Sequence, residues 1–408
     1  MNKTVFFEIT FSRALSIVLQ LVFLKIYSNY LTVYELGMFY LLMTISYSFN
    51  AFFLIPLDYF QQSKLYSLKN EQKSLISFLP LNVFILKISG ILLVSMELII
   101  YIVDENFLLI GVLLIIFSLL SYVNNLLRGF LNNFEYRRNA IYTLLGESIL
   151  KIVLFLIAVH YFQASSTLLF FTTSASMMFI GFILLLMVMN KEEFKHSDKN
   201  IFYLKDIYNF AYPISFGAVI NWIQLQGYRM LLAPMGHIET IGLYATVANV
   251  GHSGMNAAST VYAQLFVPNL YKTHGKDIKR YIQWAILTII GVFCVGMLFS
   301  RELVSLLTNN SFAKYSYLVG YGILAESGNF IIGGLSIYLT IHNLTKKTMI
   351  ASWIGFISFV LIFTILYFLN SISVWTIGLP IVLSQLFVAI YLYYLVFFIY
   401  NIKEITHE

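Results

Sequence analysis

Five basic side chains lie inside long apolar stretches of this chain: Arg13, Lys25, Lys87, Lys151 and Arg229. A cation held in hydrocarbon costs about 2.5–3.5 kcal/mol on insertion scales, so it persists where it lines a water-filled cavity or meets a partner. Five of them together predict a path for an anion. Their settings differ. Lys25 and Arg229 lie toward the ends of their stretches, from where a long side chain can snorkel to the interface. Lys151 follows Glu147 by four residues, the spacing of a helix ion pair. Arg13 and Lys87 have no close acid in their own stretch, apart from Glu8 one to two turns from Arg13, and are the stronger candidates to hold a ligand.

Embedded acids are Glu8, Asp58, Glu97, Glu147 and Glu326. Some must pair with the cations. Asp58, Glu97 and Glu326 are candidates to take a proton or sodium ion and couple transport to a gradient. Asp58 follows Pro56, where a proline kinks the helix and frees a carbonyl. Glu326 sits among Gly320, Gly322, Gly328, Gly333 and Gly334, in a stretch that can pack closely or bend. Further polar groups, Asn249, His252, Ser253, Asn256, Thr260 and Gln264, recur at the spacing of one helix face. A cavity lined by amides, hydroxyls and an imidazole suits a sugar, which makes Asn249, His252 and Asn256 candidates for that contact.

Several chemistries find no support. There is no Gly-x-x-x-x-Gly-Lys-[Ser/Thr] phosphate loop, no His-Glu-x-x-His and no Gly-x-Ser-x-Gly elbow. The one cysteine, Cys294, excludes an intramolecular disulfide and paired-thiolate metal sites. No catalytic residue, metal, cofactor or nucleic-acid partner is expected, and an enzyme is disfavoured.

The elements that must carry these groups are membrane spans. Of 408 residues, 59% are hydrophobic and 11% charged, and the mean hydropathy is +0.81. A soluble domain is about 25% charged. At about 20 apolar residues per span, twelve spans are expected: 7–30, 38–62, 75–103, 106–130, 139–162, 166–190, 208–234, 241–270, 281–300, 312–342, 348–369 and 374–400. With the N-terminus and every second connection on one side, that side holds 18 of the 20 remaining Lys and Arg and the other side only Arg301 and Lys314. The positive-inside rule then puts both termini in the cytoplasm.

The polar segment 191–206 divides six spans from six. The expected organisation is an N-terminal lobe (1–195), a linker (196–206) and a C-terminal lobe (207–408). An internal repeat supports this. Glu35-Leu36-Gly37-Met38-Phe39 enters the second span and Glu239-Thr240-Ile241-Gly242-Leu243-Tyr244 enters the eighth; Arg137-Arg138 precedes the fifth and Lys346-Lys347 the eleventh. The offsets, about 205 and 209 residues, nearly agree. An even number of spans per repeat makes the repeats parallel.

This combination resembles the Wzx-type polysaccharide flippases of the MOP exporter superfamily. The most family-like stretch contains Tyr212-Pro213, Asn221-Trp222-Ile223, Tyr228-Arg229, Gly242-Leu243-Tyr244 and Phe266-Val267-Pro268-Asn269-Leu270-Tyr271, and Glu35-Leu36-Gly37-Met38-Phe39-Tyr40 looks like the family's first outer turn. The departure is Tyr228, where an acid commonly precedes the arginine; it removes an Asp–Arg pair and leaves Arg229 freer. The architectural likeness covers the whole chain and the motif likeness about a fifth.

The resemblance implies an all-α polytopic membrane protein with a MOP/MATE-like fold, placed in a bacterial inner membrane. It implies a flippase for O-antigen or capsule repeat units carried on undecaprenyl pyrophosphate, working by alternating access. Its partners would be that lipid-linked oligosaccharide, membrane lipid, a coupling H+ or Na+, and polysaccharide-assembly proteins. The alternatives are a multidrug or organic-cation antiporter of the same superfamily, whose cavity should be dominated by acids, and a membrane enzyme of polysaccharide assembly.

Overall fold

The computed structural model describes residues 3–50, 54, 60–61, 83, 87, 90–91, 94–95, 108–133, 136–190, 204–342 and 344–400. Among these, regular structure is helical and there is no strand. In chain order the helices are α1 (Lys3–Tyr30), α2 (Val33–Phe49), α3 (Leu108–Asn133), α4 (Arg137–Tyr161), α5 (Ser166–Met189), α6 (Leu204–Leu232), α7 (Ile238–Lys272), α8 (Ile278–Leu298), the short α9 (Ser300–Leu307), a 3-10 turn (Asn310–Tyr315), α10 (Leu318–Ile341), α11 (Thr345–Phe368) and α12 (Leu379–Tyr394), which runs on into a π-helical turn (Leu395–Tyr400). Eight helices among the described residues are long and apolar enough to cross a membrane. Each expected span except the second and third coincides with one of the long helices, and the second is matched by α2 over 38–49. Where the third is expected, the described residues Val83, Lys87, Gly90, Ile91, Val94 and Ser95 are helical.

The chain forms two compact units: residues 1–23 with 38–219, and residues 24–37 with 220–408. Lipid is as apolar as leucine, so helices in a membrane associate through close backbone approach and interhelical hydrogen bonds rather than by hiding apolar surface from water. The helices divide accordingly. α5 and α10 are interior, each with 56% of its apolar window buried; α8 and α11, at 22%, face outward, where Trp284, Leu287, Ile290 and Phe368 are exposed.

The first unit is centred on α3 and α5. Phe117 stacks on Phe170 at 4.7 Å, and one helical segment on, the Asn124 side-chain amide donates to the Met177 carbonyl at 3.0 Å. Both pairs differ by 53 in number, so α3 and α5 run parallel, as alternating fourth and sixth spans must. The Ser118 hydroxyl adds a bond to the Ser46 carbonyl of α2 at 3.3 Å.

The second unit is centred on α10, which runs parallel to α7: Tyr244 meets Tyr321 and, further along both helices, Tyr262 meets Phe330. A side chain at Gly251 would overlap the Val319 carbonyl, and one at Gly322 would overlap that of Ala248. Only glycine lets these backbones touch. α8 packs antiparallel to α10, with Tyr281 against Gly334 and Ile323 against Gly296.

The internal repeat meets itself inside this second unit. A Cβ at Gly37 would overlap the carbonyl of Ile238, the first residue of α7; a Cβ at Gly242 would overlap the carbonyl of Val33, the first residue of α2. The contact is reciprocal. Val33 precedes Gly37 by four residues and Ile238 precedes Gly242 by four, and both pairs are displaced by 205. This is the self-complementary contact that a local two-fold axis generates.

Candidate functional site

α1 and α4 pack in parallel within the first unit, and their register sets the depth of every ionic group there. Ser16 Oγ lies 3.4 Å from Ser148 Oγ, and Phe23 meets Phe155 edge-on at 6.1 Å; both pairs differ by 132. Nearer the helix starts, Glu8 forms an ion pair with Arg138 at 2.7 Å and accepts a hydrogen bond from the Tyr142 hydroxyl. Glu8 is therefore engaged from α4. Among the described residues Arg13 pairs with no acid, and it is exposed.

The register places Arg13 level with residue 145, about 3 Å of helix rise from Glu147. Glu147 is the centre of a buried ionic cluster. Lys151 Nζ lies 2.6 Å from Glu147 Oε1, one turn on. The Arg128 guanidinium, from α3, bonds to Glu147 Oε2, and its Nε reaches Thr143 Oγ1 at 3.5 Å. The side chains are 8% (Glu147), 12% (Arg128) and 22% (Lys151) exposed. Arg128 and Lys151 share this one carboxylate and Arg13 stands level with it on α1, so among the described residues this depth has a formal excess of two positive charges. Removing one member of a buried pair costs about 3–5 kcal/mol, because the other is left uncompensated.

Arg128 was not among the sequence candidates. It stands near the end of α3, where a basic residue reads as a cytoplasmic anchor. Its signal is its flanks: Leu126, Leu127, Phe130 and Leu131 are all buried, which places it inside the hydrophobic part of the helix.

The other expected site residues are dispersed. Lys25 Nζ donates to the carbonyls of Ser305 at 2.8 Å and Thr308 at 2.5 Å. It caps the C-terminal end of α9, where a cation is favoured by the helix dipole. Lys87 is exposed and pairs with no acid among the described residues. Arg229 donates from Nε to the Tyr228 hydroxyl at 2.8 Å and its guanidinium lies 5.3 Å from that ring's centre. Tyr228, 2% exposed, thus supplies a neutral acceptor where the resembling family has an acid. Asp58 and Glu97 lie outside the described residues.

The polar face of α7 meets Glu326 in the second unit. His252 Nδ1 lies 3.2 Å from Glu326 Oε2, and the Asn329 amide donates to the same oxygen at 3.1 Å. Glu326 and Asn329 line a cavity of about 230 Å³ together with Ser259 and Thr260. Asn256 is exposed and accepts from Thr260 at 3.3 Å; Asn249 is half-buried on the same helix. The structure thus joins His252 to Glu326 in the second unit and leaves Arg13 and Lys151 in the first.

No family model matches the chain. It is 29% identical over 222 residues, 49% of its length, to the capsular polysaccharide biosynthesis protein CapF of Staphylococcus aureus; the match spans about half (51%) of that relative. Among solved structures it is similar to the inward-facing conformation of a multidrug resistance MATE family transporter of the MOP superfamily (TM-score 0.65, 15% identity, 92% of each chain). The outward-facing conformation of a multidrug resistance MATE family transporter matches with a TM-score of 0.64 at 15% identity, over 94% of this chain and 92% of that one. A MOP superfamily transporter from Pyrococcus furiosus, described as having a binding pocket of reverse polarity that suggests a different function, matches with a TM-score of 0.58 at 14% identity, over 95% and 93%. At these identities the likeness is one of fold. The chain is an all-helical, multi-pass membrane protein with the MOP transporter fold.

Proposed function

We propose that this chain is a flippase that carries an oligosaccharide linked through pyrophosphate to undecaprenyl lipid across a bacterial inner membrane. The observation that carries the reading is the charge excess among the described residues of the first unit, where Arg128 and Lys151 hold Glu147 and Arg13 stands at the same depth with no described acid. A diphosphate head group is an anion that cannot cross about 30 Å of hydrocarbon unaided. Cations fixed at one depth of a membrane protein can replace its hydration. The partial likeness to a capsular polysaccharide biosynthesis protein supports a substrate of this class, and a MOP-fold pocket of reversed polarity has a precedent in the Pyrococcus furiosus transporter.

In this reading the lobes 1–195 and 207–408, joined by the linker 196–206, alternate access to the two sides, with both termini in the cytoplasm. Arg13, Lys87, Lys151 and Arg229 receive or guide the head group, Lys25 guards the outer end, and Asn249, His252 and Asn256 contact sugar. Membrane lipid accepts the polyprenyl tail, and the polysaccharide-assembly proteins receive the product. Asp58, Glu97 and Glu326 remain candidates for coupling to H+ or Na+.

A second reading, an organic-cation antiporter, is favoured by one observation. Glu326, with His252 and Asn329 around it and a cavity beside it, is a carboxylate placed to meet a cation. The two readings part in cells lacking their own flippase. With the flippase reading, the wild type restores surface polysaccharide and the double variant Arg13→Ala/Lys87→Ala does not, at equal protein level. Full surface polysaccharide from the double variant refutes the cationic path, and resistance to cationic drugs without surface polysaccharide establishes the antiporter instead.

A further inference from the structure

We infer that Glu147 is the resident anion of the first unit's cationic site: the incoming diphosphate takes its place on Arg128 and Lys151, and the displaced carboxylate takes up one proton. This rests on the flippase reading above and assigns a coupling residue that was not among Asp58, Glu97 and Glu326.

The geometry is that of a ligand already bound. One carboxylate oxygen holds Lys151 and the other holds Arg128. A phosphate offers the same two-point arrangement to an arginine fork and an ammonium, with more oxygens and more charge. Arg13 lies at the same depth, exposed and without an acid among the described residues. It gives an arriving anion a first contact that Glu147 does not occupy. Glu147 is fixed on α4 between Thr143 and Lys151 and has no second cation within its own helix turn. Once Arg128 and Lys151 have turned to phosphate, an ionised Glu147 would be a buried carboxylate beside a second anion. Like charges sharing one site cannot both stay ionised; the phosphate then holds Arg128 and Lys151, which keep it ionised, and Glu147, buried and stripped of both cations, is the group that takes the proton.

The charged and titratable groups facing Glu147 can be enumerated among the described residues. α3 contributes Arg128 and α4 itself Lys151. α2 brings the hydroxyl of Tyr47 within electrostatic reach. α1 contributes Arg13 at the same depth, while its Glu8 is engaged by Arg138 and Tyr142. α5 carries no titratable side chain. Glu147 is the one carboxylic acid in that described set, and at about pH 8 a phosphate of second pKa about 6 stays ionised, so the proton goes to Glu147. Binding of anion and proton are then linked, and the linkage is reciprocal. More protons are bound in the complex than in the empty site, so affinity rises as pH falls, by about tenfold per pH unit wherever the empty site keeps Glu147 ionised.

The test uses the full-length purified protein and farnesyl diphosphate as the probe, with calorimetry in two buffers of different ionisation enthalpy at about pH 8, where a phosphate of second pKa about 6 is fully ionised. The wild type should take up about one proton more per diphosphate than Glu147→Gln. The Gln variant should bind about tenfold or more tightly at that pH, and its affinity should be flat with pH. Glu147→Asp, which keeps an ionisable carboxyl, should keep the uptake. Equal proton uptake by wild type and Glu147→Gln overturns the inference. If Glu147→Gln does not fold, the wild-type profile decides alone: a flat affinity between about pH 7.5 and 8.5 overturns it and a tenfold slope supports it. Binding without the extra proton removes this inference and leaves the flippase reading standing; no binding of diphosphate by wild type removes both.

Discussion

In the first unit the buried polarity is ionic and unbalanced. Arg128 and Lys151 converge on Glu147, and Arg13 stands at the same depth with no acid. In the second unit it is dispersed, and its cations rest on neutral groups. The Gln224 amide donates to the Ser384 hydroxyl at 3.0 Å, both groups almost fully buried; Arg229 is held by the Tyr228 hydroxyl; Lys25 is spent on the end of α9. The one embedded acid there, Glu326, is shared by His252 and Asn329. Both units fold by the same rules of close helix approach, yet among the described residues only the first collects several cations around one buried carboxylate. A polar contact closed within its own unit contributes to packing and specifies a register. An unbalanced set of cations in a membrane protein calls for an anion from outside.

That comparison can be broken at graded points. The largest effect is expected at Arg128→Ala, which leaves Glu147 with half its compensation in a buried setting and should destabilise the folded protein by about 3–5 kcal/mol. Thermal unfolding in detergent measures it, and an unchanged midpoint would show that the cluster does not hold the first unit together. Next comes the reciprocal crossing in the second unit. Gly242→Leu drives a side chain into the Val33 carbonyl and should cost about 1–3 kcal/mol. Gly37→Leu should cost the same within error, because the contact is self-complementary; a large asymmetry between the two variants would refute the local two-fold.

Smaller effects are expected where charges are capped or exposed. Lys25→Ala removes a cation from the end of α9 and should cost about 0.3–1 kcal/mol. Glu326→Gln breaks a contact to a His252 ring that is 45% exposed and should cost about 0–1 kcal/mol. If Glu326→Gln instead matched Arg128→Ala, the second unit would hold an ionic site as tight as the first. Arg13→Ala should leave stability within about 0.5 kcal/mol, since nothing among the described residues pairs with it, and yet abolish transport. That separation of stability from function is the mark of a residue kept for a ligand.

Much of this was legible in the order of residues. Span positions follow from apolar length, and the parallel pairs α3/α5 and α1/α4 agree with the alternation of those spans. The pair Glu147–Lys151 is readable because i and i+4 are neighbours on any helix. The glycines of the repeat, Gly37 and Gly242, are readable as a repeat, but not as a contact, because only folding carries residue 37 to residue 238. The same distance in sequence hid Arg128, whose partner lies 19 residues on in the next helix. It also hid the partner of Glu8: Arg13 is near in sequence, but the register of α1 on α4 brings Arg138 and Tyr142 instead. Lys25 reads as a side chain reaching for the membrane surface, and in the structure it finds two carbonyls before it finds water.

The most direct test of an anionic substrate is transport itself. Wild-type protein and Arg13→Ala are reconstituted in vesicles holding a fluorescent sugar linked through diphosphate to a polyprenyl chain, and movement between leaflets is followed by quenching from outside, in parallel with uptake of a fluorescent organic cation. The expected result is rapid movement of the diphosphate lipid by wild type, at least about tenfold slower movement by Arg13→Ala, and no movement of the cation. Uptake of the cation by wild type, with the diphosphate lipid left in its original leaflet, would contradict the account.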